Sequence, residues 1–259
     1  ATLDRPAAMG ELAAVAPPGD PWRWARCEVS VRFWGGAPIA PGRRGALDGG
    51  GAAALEHAPG VWEIIQFADA ALAGPGVWRL GPLLRGQAGT EALCAAAVPA
   101  RARFVALDGA LAALDLPSGL IGLERPVRIG ALDRGPEDAA AVELPFTEQA
   151  ARRRPLAPAR LEARASAEGV RAAWLRRDAG DADGWIEGRD AAPPFGGAWR
   201  VEVRRGGAVL RSAETSETAF VYAAADRLAD GAVAPFEIAV AEIAPGYGPG
   251  PETRIIIHD

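Results

Sequence analysis

Three observations predict an all-β chain made of two domains in tandem. Apolar residues alternate with a period of two rather than 3.6, the runs are strand-length, and turns bearing Gly and Pro separate them. At 259 residues the chain has room for two domains. A chain of this size buries roughly 70–75% of its unfolded surface and needs no staple.

The elements follow in order. In CEVSVRFW, Val29, Val31 and Phe33 alternate with Ser30, Arg32 and Trp34. In VWEIIQF, Val61, Glu63, Ile65 and Phe67 point one way, and Trp62, Ile64 and Gln66 the other. Further strands are expected at 77–81, 103–107, 125–130, 199–205 and 253–258, between turns such as PGRRGALDGGG, AGPG and GYGPG. Residues 89–98 and 222–230 are the best short helix candidates. The domain reading is a connector over 1–19, an irregular β-barrel or sandwich over 20–145, a linker over 146–157 and a sandwich over 158–259. The linker carries three arginines between prolines, which favour an extended connection. Three charges there read as a solvated surface rather than a nucleic-acid site.

Composition excludes several functions. Net charge is −5, and all 28 basic residues are Arg, so there is no electrostatic footprint for nucleic acid. Two Cys, two His and one Met build no soft or imidazole-rich metal cage, and no cofactor is expected. No apolar run approaches the ~18 residues of a membrane span. The first residues mix acids with apolar positions and do not read as a signal peptide; a chain opening on Ala1 reads as a fragment or a processed product. Cys27 and Cys94 match no disulfide framework and read as buried thiols, with their pairing left open.

Catalytic constellations fare poorly. His57 and His258 are the sole imidazoles and no G-x-S-x-G elbow occurs, so nucleophilic catalysis is not expected and the chain reads as a non-enzyme. Cys94 among small apolar neighbours is a structural thiol rather than half of a dyad with His57. Glu63, Asp69, Asp108 and Asp115 single out no pair for glycoside hydrolysis and read as solvated strand and turn acids. DAGDADG (178–184) fails the EF-hand register. RGQAGT lacks the Lys-Ser/Thr step of a phosphate-binding loop. In LLRGQAGTE, Gly86 and Gly89 permit positive φ, and Arg85 and Glu91 could pair across the turn; an assembly contact is the functional alternative.

Two resemblances rest on these residues. The second half has Trp174 in its second strand, Trp199 in its third, a Gly206–Gly207 hairpin turn and the Phe236–Val240 run. It resembles a fibronectin type III domain, with Phe236 where a tyrosine normally stands, so the corner hydrogen bond is absent or replaced. The segment GVWEIIQFADAALAGPGVWRLGPLLRGQAGTEAL (60–93) resembles a stretch of large tail proteins of phages and gene transfer agents. There a Trp-Glu strand, a Trp strand and an L-L-R-G-x-x-G-T-E turn follow one another. Trp62, Trp78, Arg85, Gly86, Gln87, Gly89, Thr90 and Glu91 carry the likeness and are the candidate assembly residues.

The resemblance implies a structural part of the tail tip or baseplate of a phage-like particle, taking part in assembly, host attachment or DNA delivery. Its partners would be further copies of itself, as a homotrimer about the tail axis, together with hub and distal-tail proteins. Its place would be an extracellular particle assembled in the bacterial cytoplasm. The alternative is a carbohydrate-binding module for a host-surface glycan. Of the eight Trp, Trp62, Trp174 and Trp199 read as core, whereas Trp22, Trp24 and Trp185 lack strand partners and suit interfaces or sugar stacking. A long loop, about 177–197, holds Trp185, Ile186 and Phe195 and is expected to dock on the first domain or on a neighbouring protein.

Overall fold

The alternation of the first half closes into a barrel. A computed structural model describes residues 7–21, 23–24, 27–112, 114, 116–135, 138–148, 155–177 and 197–258. The chain divides into one unit of Ala1–Leu116 with Ile129–Ala141, and a second of Pro117–Arg128 with Val142–Asp259. The first unit contains β1 (Met9–Leu12), β2 (Val29–Gly35), α1 (Gly42–Leu47), β3 (Ala52–Ala58), β4 (Val61–Gly74), β5 (Val77–Gln87), α2 (Glu91–Cys94) and β6 (Arg103–Ala106). The strands run in the order β1-β2-β5-β4-β3-β6, each antiparallel to its neighbours, and β6 returns to β1. Leu12, Val29, Val31, Leu55, Ile65, Phe67, Leu80, Leu83 and Phe104 fill the interior.

The strand Met9–Leu12 lies inside the stretch read as a connector, and it closes the barrel. Gly10 makes this possible: a Cβ there would stand 2.2 Å from the Arg32 carbonyl oxygen of β2. Strand β3 lies in an Ala-rich stretch where no strand is expected, and α1 in a segment read as a turn. The helix candidate at 89–98 shortens to α2.

Further along the chain, β7 (Arg125–Ile129) and β8 (Val142–Phe146) form a two-stranded sheet. The second unit continues with β9 (Ala159–Ser166), β10 (Gly169–Leu175), β11 (Ala198–Arg205), β12 (Ala208–Thr215), β13 (Ala219–Ala223), α3 (Ala224–Ala229), β14 (Phe236–Ala244), β15 (Gly248–Pro249) and β16 (Thr253–Ile257). One sheet runs β13-β10-β9; the other runs β12-β11-β14-β15, with β16 also on β14. Val170, Ala172, Trp174 and Tyr222 from the first sheet pack on Trp199, Val201, Val203, Phe236, Ile238 and Val240 from the second. The result is a fibronectin type III-like sandwich.

The turn between β11 and β12 has φ of +56° at Gly206 and +85° at Gly207, the double positive that a tight hairpin requires. The corner bond that Phe236 cannot make is replaced nearby. The Tyr222 hydroxyl donates to Asp230 Oδ2 at 2.9 Å, and its ring meets Phe236 edge-on at 5.8 Å. Arg211 of β12 also donates to Asp230 Oδ2, at 2.6 Å, so one carboxylate ties β12, β13 and the end of α3.

Candidate functional site

Inward alternation on β4 carries Glu63 into the barrel beside Ile65 and Phe67, and Glu63 is fully buried. It is therefore not the solvated strand acid its residue type suggests; Asp69, farther along β4, is exposed. The charge of Glu63 is met by Arg85 of β5, also fully buried. Arg85 Nε donates to Glu63 Oε1 at 2.7 Å and Nη2 to Oε2 at 2.6 Å, a two-pronged clasp. The Gly86 backbone N–H donates to Oε1 at 2.9 Å, and His57 Nε2 to Oε2 at 2.7 Å. The third guanidinium nitrogen, Nη1, donates to the Pro17 carbonyl at 2.6 Å. Arg85 thus directs its nitrogens to Glu63 and Pro17, not across the turn to Glu91.

The turn that follows is built on the same clasp. Gly86 has φ of +62°, and a Cβ there would stand 2.8 Å from Glu91 Cα, so glycine is required both for conformation and for space. Gly89 has φ of +85°. Thr90 Oγ1 donates to the Gln87 carbonyl at 2.7 Å and accepts from the Ile64 N–H at 3.0 Å, pinning the turn to β4. Gln87 Nε2 donates to the Arg85 carbonyl at 2.8 Å. Arg85 Nη1 and a Gly19 N–H bond to the Cys94 carbonyl, at 2.8 Å, strap residues 16–21 across this end of the barrel.

Of the motif residues, the fold brings together Arg85, Gly86, Gln87, Gly89, Thr90 and the backbone of Glu91. The two tryptophans stand apart. Trp62, expected as core, is half-buried on the outer face under Arg103, whose guanidinium lies 5.4 Å from the ring centre. Arg103 also grips Glu56 of β3. Trp78 packs against the barrel interior near the far end of β5. Trp24 is half-buried with Arg43 5.7 Å from its ring centre. Trp22, Asp115, the acidic run at 178–184 and the loop residues Trp185, Ile186 and Phe195 lie outside the described residues. Sequence reasoning missed His57 and Glu63 as members of the cluster, although the inward register of Glu63 was visible.

The electrostatics are those of a closed ion pair. Burial would raise the Glu63 pKa, but hydrogen bonds from Arg85 and His57, the Arg85 charge and the Gly86 N–H together hold it below the ordinary carboxylate value. Burial raises the Cys94 thiol, with Glu63 adding to the effect, and burial likewise raises Cys27; both are free cysteines. Cys94 Sγ donates to the Glu91 carbonyl at 2.9 Å, while His57 is directed to Glu63. Among the described residues, no group of three or more His, Cys, Asp or Glu could hold a metal ion. No helix among them is long and apolar enough to cross a membrane.

A pH prediction follows from the depressed Glu63. Its contribution to stability is fully present above the unfolded carboxylate value of about 4.3 and is lost as pH falls through the lower folded value. Urea unfolding of the barrel should therefore be nearly flat between about pH 7 and 5 and weaken steeply below about pH 4. A barrel equally stable at pH 3 and 7 would show that the clasp is not ionised.

Residues 7–105, which run from just before β1 into β6, match the family model described as "Rcc01698-like, C-terminal", a name associated with gene transfer agents. A search of curated proteins finds no match to the chain. Among solved structures, the chain is similar to the rat CD45 extracellular region, domains d3-d4. That likeness is 15% identical, covers 58% of this chain and 72% of that one, and has a TM-score of 0.29.

Proposed function

We propose that the chain is a structural part of the tail tip of a phage-like gene transfer particle. One observation carries the reading. The 60–93 segment that resembles tail proteins lies within the matched span 7–105, and there it forms β4, β5 and the clasp between them. Its characteristic Arg85, Gly86 and Thr90 are engaged in holding the barrel wall together. A role in scaffolding is supported by that use of the motif, and a catalytic role is not: Glu63 is saturated by Arg85, His57 and Gly86, and burial pushes the pKa of both thiols up, away from the nucleophilic thiolate. The partners in this reading are further copies of the chain and the hub and distal-tail proteins, in a particle assembled in the cytoplasm and released from the cell.

Immunogold electron microscopy of purified particles tests this. Antibody to the chain should label one end of the tail, and deleting its coding sequence should abolish transfer of DNA. Particles that lack the chain and still transfer DNA would overturn the proposal.

A further inference from the structure

Most tryptophans among the described residues are occupied. Trp78, Trp174 and Trp199 pack in or against the two cores. Trp24 and Trp62 are half-buried and lie under Arg43 and Arg103. Trp34 of β2 differs. It is 60% exposed, and among the described residues no arginine or second ring lies over it. A bare indole is uncommon, because tryptophan is highly buried on average.

A β-bulge sets its surroundings. Gly10 of β1 pairs with Phe33 and Met9 with Gly35, so Trp34 is the extra residue on β2. Val29 and Val31 are buried inward, and Phe33 meets the Phe104 ring edge-on at 5.6 Å. Trp34 and Gly35 share the outward side with the exposed Met9, and a Cβ on Gly35 would meet no atom within 4 Å. Arg32 lies on the same outer face, about 6–7 Å back along the strand. It is exposed and has no ion-pair partner among the described residues, although Glu11 stands opposite it on β1. Glu11 is held only loosely, with Arg101 at 3.9 Å.

We propose that this face binds an acidic sugar: a pyranose lays one ring face on Trp34, and its carboxylate meets Arg32. A pyranose presents C–H groups on its face and hydroxyls on its rim. It therefore suits an indole whose neighbours are donors and acceptors more than one set in an apolar patch. Here Gly35 leaves the approach open, Arg32 donates and Glu11 accepts; Met9 is the apolar neighbour. Charge selects the acid. On this face and beside it, Arg79 stands 3.7 Å from Glu28 and Arg101 faces Glu11, which leaves the Arg32 charge unmatched. Its planar guanidinium fits a carboxylate with two parallel hydrogen bonds. The inference goes beyond scaffolding and holds whether or not the chain belongs to a particle. It places sugar contact on a tryptophan other than Trp22, Trp24 and Trp185.

Isothermal titration calorimetry of the full chain at low salt tests it, with trimers of galacturonate, glucuronate, mannuronate and guluronate as probes. At least one should bind with Kd below about 5 mM, the weak range that one stacked ring and one exposed ion pair supply. For that trimer, Trp34→Ala should weaken binding at least about fivefold, whereas Trp34→Tyr keeps a stacking ring and should retain most of it. Arg32→Gln should weaken binding about two- to fivefold, and the methyl ester of the same trimer should lose a similar factor on the unsubstituted chain. Unchanged circular dichroism and urea midpoints verify that the variants fold. A chain that binds none of the four with Kd below about 5 mM overturns the proposal. So does binding that Trp34→Ala leaves unchanged, or that neither esterification nor Arg32→Gln weakens. Self-association that Trp34→Ala abolishes, with no trimer bound, identifies a protein contact and overturns it as well.

Discussion

Glu63→Ala should destabilise the barrel by about 3–5 kcal/mol, because it leaves a buried guanidinium without its counter-charge. Arg85 is fully buried and directs two nitrogens to the Glu63 carboxylate. Removing that carboxylate also strips the acceptor from the Gly86 N–H and from His57. A domain has about 5–15 kcal/mol of stability in total, so a loss of this size brings the barrel close to unfolding at room temperature. Urea denaturation of the full chain followed by circular dichroism should show the barrel transition moving sharply to lower denaturant, with the sandwich transition unmoved.

The informative comparison is the double substitution Glu63→Leu with Arg85→Met. Replacing both charges by apolar groups of similar length removes the unmet desolvation cost, and stability should return towards that of the unsubstituted chain. The Pro17 carbonyl would still lose its donor, and the Gly86 N–H and His57 their acceptor, so recovery is expected to be incomplete by about 1–3 kcal/mol for each of these groups that stays unpaired away from water. A single Glu63→Ala loss below about 1 kcal/mol would mean that water reaches Arg85, and the closed clasp would be wrong.

The clasp also shows what the sequence could and could not convey. The alternation of Val61, Glu63, Ile65 and Phe67 put Glu63 on the inner face, and the barrel keeps it there. A carboxylate in a core is rare enough that residue type outweighed register. Its partner lies 22 residues away in sequence. A local reading instead offered Arg85 the nearer Glu91, which shares its turn. Barrel closure was hidden for a different reason. Strand β1 is four residues long, and β3 is Ala-rich with no β-branched residue, so neither has intrinsic strand preference. Both are strands because β2, β4 and β6 present unpaired ladders that they complete. Where large side chains alternate, as in Trp199, Val201 and Val203 or Phe236, Ile238 and Val240, the local pattern was sufficient.

Trp199→Ala should cost the sandwich about 3–5 kcal/mol, the range for truncating a buried aromatic in a packed core. Trp199 is 1% exposed on β11, which lies between β12 and β14 and so has no free side onto which it can relax. Its ring meets Trp174 of the opposite sheet edge-on, with centres 5.6 Å apart and planes at 67°. The substitution therefore removes an inter-sheet aromatic contact as well as volume, and the contact alone is worth about 0.5–1.5 kcal/mol. Trp199→Phe keeps most of the volume and an edge-on ring, and should cost less than half as much. Because Glu63 and Trp199 lie in different compact units with separate cores, the two alanine substitutions should act on different transitions and add when combined. A Trp199→Ala chain that loses the barrel transition together with the sandwich would mean that the two units unfold as one, and the division into independent cores would fail.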